Sequence, residues 1–256
     1  MVTIKTPEEI AILREGGRRL AELLATLAKE LSPGVSSLEL DSKAHELIVA
    51  GGDKPSFLGY KSKGSKDGFP GSICFSANNE IVHGAPSIEP HIIKEGDIIT
   101  IDGGLIHKGL YTDSAITLGV GKISETGKKI IAATSTALEK GIAAACAGGH
   151  IGDIGAAIEE YVKTTDFSLT AGLSGHGVGY SVHEDPYVPN WGERGKGEEL
   201  RPGLVIAIEP MLNEGTSKTK VASDGFTICT ADGKLSAHFE HTIVIGENGP
   251  EVLTKI

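Results

Sequence analysis

The sequence has few cysteines, few aromatic residues and no long apolar run. Its 256 residues include three cysteines and one tryptophan, and aromatic residues make up 5% of the chain. Cys74, Cys146 and Cys229 are far apart in sequence, odd in number and form no C-x-x-C motif, which argues against a disulfide framework or a cysteine-based zinc site. Residues 1–30 are charged and amphipathic, so this stretch is neither a signal peptide nor a membrane span. We therefore expect a cytoplasmic protein with reduced thiols.

The chain also lacks an excess of basic residues. It carries 24 Lys and Arg against 34 Asp and Glu, which gives a formal net charge of −10, and its pI is near 5.4. This balance argues against a general nucleic-acid or membrane surface. A chain of this length can bury a large core and suits one domain or two fused halves. We expect no DNA or membrane partner and take a monomer as the default state.

Two ten-residue segments of the sequence share one pattern. Residues 93–102, IKEGDIITID, are matched 107 residues later by residues 200–209, LRPGLVIAIE. Each copy leads through a turn glycine into an apolar strand that ends on a carboxylate, Asp102 or Glu209. A desolvated, unpaired carboxylate is costly at such a position. The repeat therefore suggests two halves that face each other across a shared cation, although two solvated strand-end acids would show the same pattern.

The order of helices and strands is repeated as well. The segment Thr6–Glu9 forms a capping box with proline at the first helical position, before an apolar-periodic helix that ends at residues 32–34. Ser36 starts a second helix, which ends near Gly51. A similar pair is predicted at about 125–147 and 151–163, and glycine-spaced strands follow each pair, over 71–120 and about 173–246. This predicts a single α+β domain over 1–256, built from two related halves (about 1–122 and 123–256), with helices on one face of the sheet.

Residues with metal-ligand side chains accompany the predicted strands. Asp113 follows Asp102 across a glycine-containing segment, 103–109, that suits a hairpin and would bring the two carboxylates together. His176 lies between two glycines, and Glu240 immediately precedes the last alternating strand. Taken singly, each residue is more often solvated, ion-paired or part of a loop than a ligand. Four clustered carboxylates would raise one another's pKa values unless cations neutralised them, so the full set predicts a site for two divalent cations.

The predicted ligand chemistry narrows the choice of metal. Carboxylate oxygens and one imidazole suit Mn, Fe(II) or Co, with Mg a weaker candidate, and they differ from the thiolate ligands of structural zinc. Two such cations that share carboxylates would hold a hydroxide nucleophile between them at neutral pH.

The order of the motifs resembles a type I methionine aminopeptidase of the short bacterial form, over about residues 3–250. The motifs are NEIVHG at 79–84, Asp102, Asp113, GHG at 175–177, His183-Glu184, IEP at 208–210 and FEHT at 239–242. The resemblance implies the pita-bread metallopeptidase fold, whose internal pseudo-twofold agrees with the repeat. It also implies removal of the initiator methionine from nascent proteins when the second residue is small, by attack of a metal-activated hydroxide on the first peptide bond.

By this resemblance, five residues would hold the two cations. Asp102 would bind one cation, His176 and Glu209 would bind the other, and Asp113 and Glu240 would bridge both.

The resemblance also implies catalytic roles for three residues. Glu209 would relay protons to and from the hydroxide. His83 would contact the substrate near the scissile amide, and His183 would support the carbonyl oxygen as it becomes an oxyanion. Packing behind the site is the alternative role for both histidines.

An apolar pocket for the methionine side chain is implied by the same resemblance. Besides His83 and His183, its lining residues would be Tyr60, Phe69, Cys74 and Phe226. The sequence departs from the common family pattern at four positions: Phe57 replaces cysteine, Phe69 tyrosine, Val182 phenylalanine, and Phe226 tryptophan. These changes redistribute volume but keep the pocket apolar, so we expect methionine still to fit, with altered tolerance of near analogues.

Two other functions are compatible with parts of this pattern. A proline-specific peptidase of the same fold would use the same five ligands, but such enzymes usually carry a separate N-terminal domain, and Cys74 favours methionine. A binding protein that has lost its metals is the second alternative, and the complete ligand set argues against it.

The loop Lys61–Gly68 looks longer than in compact bacterial relatives and carries three lysines and one acid. It is either a solvated insertion or a contact with ribosomal RNA, in which each lysine–phosphate contact would make binding salt-dependent.

Overall fold

The described residues of the computed structural model, 2–61 and 67–256, form four helices and fifteen strands. The helices are Pro7–Glu30 (α1), Ser37–Ala50 (α2), Glu125–Ala144 (α3) and Ile151–Val162 (α4). Strands β1 to β7 are Lys54–Pro55, Ile73–Ala77, Glu80–Val82, Ile98–His107, Leu110–Gly119, Ser168–Leu169 and Ser174–Gly177. Strands β8 to β15 are Glu184–Pro189, Val205–Ile208, Met211–Asn213, Thr219–Val221, Ile228–Thr230, Ser236–His238, Glu240–Gly246 and Gly249–Val252.

Local sequence signals start the first two helices where they were predicted. The Thr6 hydroxyl accepts a hydrogen bond from the Glu9 backbone N–H (3.3 Å), and the Glu9 carboxylate accepts one from the Thr6 backbone N–H (2.8 Å). Ser36 and Glu39 form the same capping box before α2. These reciprocal bonds satisfy backbone donors that have no partner within the helix. The second pair, α3 and α4, also matches the prediction to within three residues at each end.

One large antiparallel sheet organises the molecule. Its strand order is β1-β4-β5-β14-β9-β7-β8, with β2 also paired to β4 and β15 to β14. Strands β4 and β5 come from the first half of the chain and meet the second half where β5 pairs with β14. Two three-stranded sheets, β13-β10-β6 and β11-β12-β3, flank this large sheet.

The helices pack on one face of the large sheet, as predicted. Helices α1 and α2 bury their leucines against Ile99 and Ile101 of β4, and α3 and α4 pack against Ile206 and Ile243 in the second half. Because side chains alternate along a strand, Asp102 lies on the opposite face from Ile101. The apolar core therefore lies beneath the helices and leaves the other face of the sheet for polar residues. Among the described residues, no helix has the length and apolar character needed to cross a membrane.

The hairpin that joins Asp102 to Asp113 is tighter than the sequence suggested. Most of the predicted loop, 103–107, belongs to β4, and the turn itself is Lys108-Gly109. Both turn residues have positive φ, +48° and +86°, which matches the twist of a two-residue hairpin. The glycines at 103 and 104 lie inside the strand, so the expected loop was wrong, although the pairing of the two strands was right. Residues 62–66 of the Lys61–Gly68 loop lie outside the described residues, and the hypotheses about that loop remain predictions.

Candidate metal centre

The register of the large sheet brings the five predicted ligands together. Asp102 is paired with Ala115 of β5, and Ala115 is paired in turn with Glu240 of β14. Glu209 directly follows Ile208, whose partner on β14 is His241. These pairings place Asp102, Glu240 and Glu209 along one row across the sheet.

A second row lies two residues away on the same face. Asp113 is paired with Gly104 of β4, and its backbone N–H donates to the Thr242 hydroxyl of β14 at 3.0 Å. His176 of β7 is paired with Ala207 of β9, which is itself paired with Thr242. Since side chains two residues apart share a face of a strand, both rows project to the side away from the helices.

The side chains of the two rows converge. Asp113, His176 and Glu240 each offer a ligand atom within 4.8 Å of the others. The His176 Nε2 atom lies 3.3 Å from Glu209 Oε1 and 4.0 Å from Asp113 Oδ2. Asp102 lies near enough to Asp113 that burial and the negative charge of Asp102 together raise the pKa of Asp113. All five predicted ligands therefore belong to one cluster.

The cluster carries more negative charge than a buried site tolerates by itself. Burial raises the pKa of Asp102 to about 7 from its ordinary 3.8. Burial, reinforced by repulsion between neighbouring carboxylates, raises the pKa values of Asp113, Glu209 and Glu240 well above those of ordinary carboxyl groups. Burial also lowers the pKa of His176 to about 3, which keeps its imidazole neutral. A neutral imidazole is the form that binds a metal.

The donor atoms fit divalent cations. Asp102 Oδ1, Asp113 Oδ1 and Glu240 Oε1 are buried and have no hydrogen-bond partner within residues 2–61 and 67–256. A buried acceptor without a hydrogen-bond partner destabilises the folded state. A cation among these three oxygens would satisfy them and cancel their repulsion. Four carboxylates with one imidazole form the oxygen-rich donor set that hard or borderline divalent metals take.

A cavity of about 520 Å³ opens onto the cluster. All of the predicted pocket residues line it: Tyr60, Phe69, Cys74, His83, His183 and Phe226. Its apolar wall is built from aromatic pairs in edge-to-face contact, with Phe69 6.5 Å from Phe57 and 5.7 Å from Phe226 between ring centroids. Val182 is buried against the same group of side chains. One end of the cavity is therefore apolar, and the other end is the carboxylate cluster.

The two predicted catalytic histidines stand at the polar end. The His183 Nδ1 atom is 2.7 Å from the Tyr60 hydroxyl, and the His183 ring is 4.4 Å from the ring of His176 between centroids. His83 has a positive φ of +59°, and the next residue, Gly84, packs so closely on Phe75 that a Cβ there would lie 2.0 Å from the Phe75 carbonyl oxygen. The backbone at His83 is thus held against β2.

One residue of the site was missed by the sequence analysis. His238 is buried, lines the cavity, and has its Nε2 atom 3.7 Å from Glu209 Oε2. Neither of its ring nitrogens has a hydrogen-bond partner in the part of the chain that the structure describes. Its position two residues before Glu240 was the available signal, because alternate residues of an extended segment share a face.

Comparison with known proteins agrees with this geometry. The sequence matches the profile of metallopeptidase family M24 over residues 11–247. It is 44% identical to a methionine aminopeptidase of Clostridium perfringens and 45% identical to methionine aminopeptidase 1 of Bacillus subtilis, in each case over 100% of both chains. The chain belongs to the methionine aminopeptidases of metallopeptidase family M24.

Solved structures of this family have the same fold. A crystal structure of methionine aminopeptidase from Thermotoga maritima is 41% identical and matches with a TM-score of 0.95 over 100% of both chains. A prolidase from Pyrococcus horikoshii matches with a TM-score of 0.76 at 23% identity, and the match covers 98% of this chain and 63% of the prolidase. At that identity the prolidase shows a shared fold alone. The curled antiparallel sheet with helices on its outer face is the pita-bread fold of this metallopeptidase family, as predicted.

Proposed function

We propose that this chain removes the N-terminal methionine from peptides and nascent proteins whose second residue is small. The observation that carries the proposal is the continuity of the apolar cavity with the carboxylate cluster. A first side chain seated among Phe57, Phe69 and Phe226 brings the peptide bond that follows it to the cluster. The full-length relatives named methionine aminopeptidase support methionine as that first residue.

Two divalent cations, with Mn, Fe(II) or Co preferred to Mg or Zn, are the proposed cofactors. We assign Asp102 to one cation, His176 and Glu209 to the other, and Asp113 and Glu240 to both. The unpartnered oxygens of Asp102, Asp113 and Glu240 support cation binding by these three residues. When bound, such cations supply a nucleophile from water at neutral pH and polarise the scissile carbonyl.

The side chains around the cations are proposed to bind the substrate and move its protons. Glu209 accepts the proton of the attacking water and returns it to the leaving amine. His83 hydrogen-bonds the substrate near the scissile amide. His183, beside His176 at the polar end of the cavity, donates to the carbonyl oxygen as negative charge develops there.

The specificity of the pocket is tested by peptides. We expect Met-X-Ser peptides to be cleaved quickly when X is Gly or Ala and slowly when X is Trp, because a bulky second residue collides with the rim of the metal site. Equal rates for Ala and Trp would contradict the steric argument. A proline-specific peptidase of the same fold would instead release a residue from an Ala-Pro peptide and leave Met-Ala-Ser intact.

We further propose action in the cytoplasm as a monomer, with transient contact to the ribosome through the Lys61–Gly68 loop. Most of that loop lies outside the described residues, so the support is its three lysines in an acidic chain. Changing Lys61, Lys63 and Lys66 together to serine should weaken ribosome binding and flatten its salt dependence, while short-peptide kinetics stay unchanged. Unchanged ribosome affinity and salt slope would leave a solvated loop.

A further inference from the structure

The charged side chain of a lysine near the N-terminus is buried. The Lys5 side chain has 0% relative exposure. A buried ammonium group is costly unless it is paired and hydrogen-bonded. Lys5 Nζ forms an ion pair with the Glu184 carboxylate, donates to the Thr3 hydroxyl at 2.5 Å, and lies 4.6 Å from the centroid of the Tyr180 ring. The ammonium group is therefore fully engaged, and its contacts with Glu184 and Tyr180 reach the first residue of β8 and the loop that precedes it.

That loop, residues 178–183, joins β7 to β8 and carries Val182 and His183. Glu184, the first residue of β8, accepts the Tyr180 backbone N–H at 3.2 Å as well as the Thr3 hydroxyl at 3.0 Å. The Glu184 carboxylate thus links the two ends of the loop to the N-terminal segment. His183, the proposed oxyanion donor, directly precedes Glu184 in the chain.

The loop is also shaped to receive the lysine. Gly179 has a φ of +139°, and a Cβ built on it would lie 2.4 Å from Lys5 Cε. The Tyr180 hydroxyl donates to Glu9 of α1 at 2.8 Å, so the aromatic ring over which Lys5 lies is itself fastened to the first helix. The N-terminal segment and the loop therefore fit each other closely along several residues.

The side-chain contacts of His183 do not by themselves fix the position of the loop. Its ring hydrogen-bonds Tyr60 and lies against His176, which orients the imidazole. These ring contacts do not hold the main chain of residues 178–183. That main chain is held where the Tyr111 N–H donates to the Gly179 carbonyl at 2.8 Å, and by the Glu184 carboxylate through Tyr180, Thr3 and Lys5.

We propose that Lys5 is a positioning residue: its ion pair with Glu184 fixes the main chain that presents His183 to the scissile carbonyl and Val182 to the pocket. This inference rests on the proposed function, because His183 has its role only in that reaction. Displacement of a catalytic group by about 1 Å can cost on the order of 10²-fold in rate. Lys5 contacts neither the cavity nor the proposed ligands, so its effect must pass through the loop.

The first test is kinetic. Lys5→Met retains the apolar stem and removes the charge, and Glu184→Gln removes the partner charge. We expect each variant to lower kcat on Met-Ala-Ser by roughly 10- to 10²-fold, with metal content unchanged and KM changed by less than about threefold. Lys163→Met is the matched control, because Lys163 forms a solvent-exposed ion pair with Glu159 on α4 and should leave kcat unchanged.

A double-mutant cycle separates positioning from general damage to the fold. In a His183→Ala background there is no imidazole left to position, so adding Lys5→Met should lower kcat by less than about twofold. An equal loss in both backgrounds would overturn the proposal, as would a rise in KM with kcat intact. If Lys5→Met leaves Glu184 unpaired and the variant does not fold, the double variant Lys5→Met/Glu184→Gln removes both charges. That variant should fold with kcat still low, and wild-type kcat in it would refute the positioning role.

Failure of the proposed function gives a different result. If the metal-loaded wild-type protein does not release methionine from Met-Ala-Ser, the proposed function is wrong. If the wild type cleaves this peptide and both single variants match it in kcat, the function stands and the inference about Lys5 is wrong.

Discussion

Removal of the metals should reverse how stability depends on pH. Burial raises the pKa of Asp113, Glu209 and Glu240 well above its ordinary value. The metal-free folded protein therefore keeps protons that the unfolded chain has released above about pH 5. A state that binds more protons gains stability as pH falls, so this contribution is complete below the unfolded pKa values and is lost as pH rises toward the folded ones.

The buried histidines change stability with pH in the opposite direction, and this determines the pH range in which the test is made. Burial lowers the pKa of His176 and His238 to about 3, so these side chains add stability as pH rises toward the ordinary histidine value of 6.5. Above about pH 6.5 most of that gain is complete, and the carboxyl groups dominate the dependence of stability on pH. Each proton retained by the folded state then costs about 1.4 kcal/mol of unfolding free energy per pH unit. A single retained proton removes about 2 kcal/mol between roughly pH 6.5 and 8, out of a typical total of about 5–15 kcal/mol.

Urea unfolding followed by circular dichroism would measure this effect, with chelator in one series and saturating Mn²⁺ in the other. We expect stability to fall with pH in chelator. With metal it should stay level or rise, because the cations keep the carboxylates ionised and protons compete with them at low pH. Glu240→Gln, which removes one titrating group, should make the slope in chelator shallower. A metal-free protein whose stability is constant or rises between about pH 6.5 and 8 would show that the cluster is not protonated, contrary to the argument from burial.

Three substitutions test the site more directly. Glu240→Ala should abolish peptidase activity and lower metal stoichiometry together, since a bridging carboxylate serves both cations; near-normal turnover at limiting metal would show that Glu240 does not bridge. His183→Ala should lower kcat by about 10²–10³, the loss typical of one oxyanion donor, with metal content unchanged by elemental analysis; loss of metal would make His183 a ligand instead. Gly84→Ala would place a methyl group 2.0 Å from the Phe75 carbonyl oxygen and shift His83, so steady-state kinetics should show kcat reduced by about tenfold or more; an unchanged kcat would show that the placement of His83 is not critical.

The helices were predictable because their signals are local. A capping box at Thr6 or Ser36 involves residues three positions apart, and the apolar stripe that follows is set by the helical period. The proposed ligands were instead found through the order of their motifs, since Asp102 and Asp113 lie within β4 and β5 and only Glu240 begins a strand. Sheet register then brought Asp102 and Asp113 together without any need for the precise turn.

The features that escaped prediction depend on distant contacts. The segment after Asp102 contains two glycines, which usually indicate a turn, but pairing with β5 on one side and with β1 and β2 on the other keeps residues 103–107 extended. His238 became part of the site because β13 approaches Glu209, which no local pattern records. Nothing in the sequence distinguishes Lys5 from a surface charge before α1, because its partner is 179 residues away.

The strand order places the cluster where the predicted halves, 1–122 and 123–256, meet through β5 and β14. Strands β4 and β5 reach this seam from one side and carry Asp102 and Asp113, while from the other side Glu240 begins β14 and Glu209 directly follows β9. Two identical copies of one half, joined edge to edge about a twofold axis, would present four carboxylates to that axis. A homodimer of such halves would place identical residues around that axis. In the single chain the two sides differ: β2 carries Cys74 in the pocket wall, whereas β7 carries His176 of the cluster. Covalent linkage of two halves thus permits an asymmetric site, because residues at matching positions need not be identical.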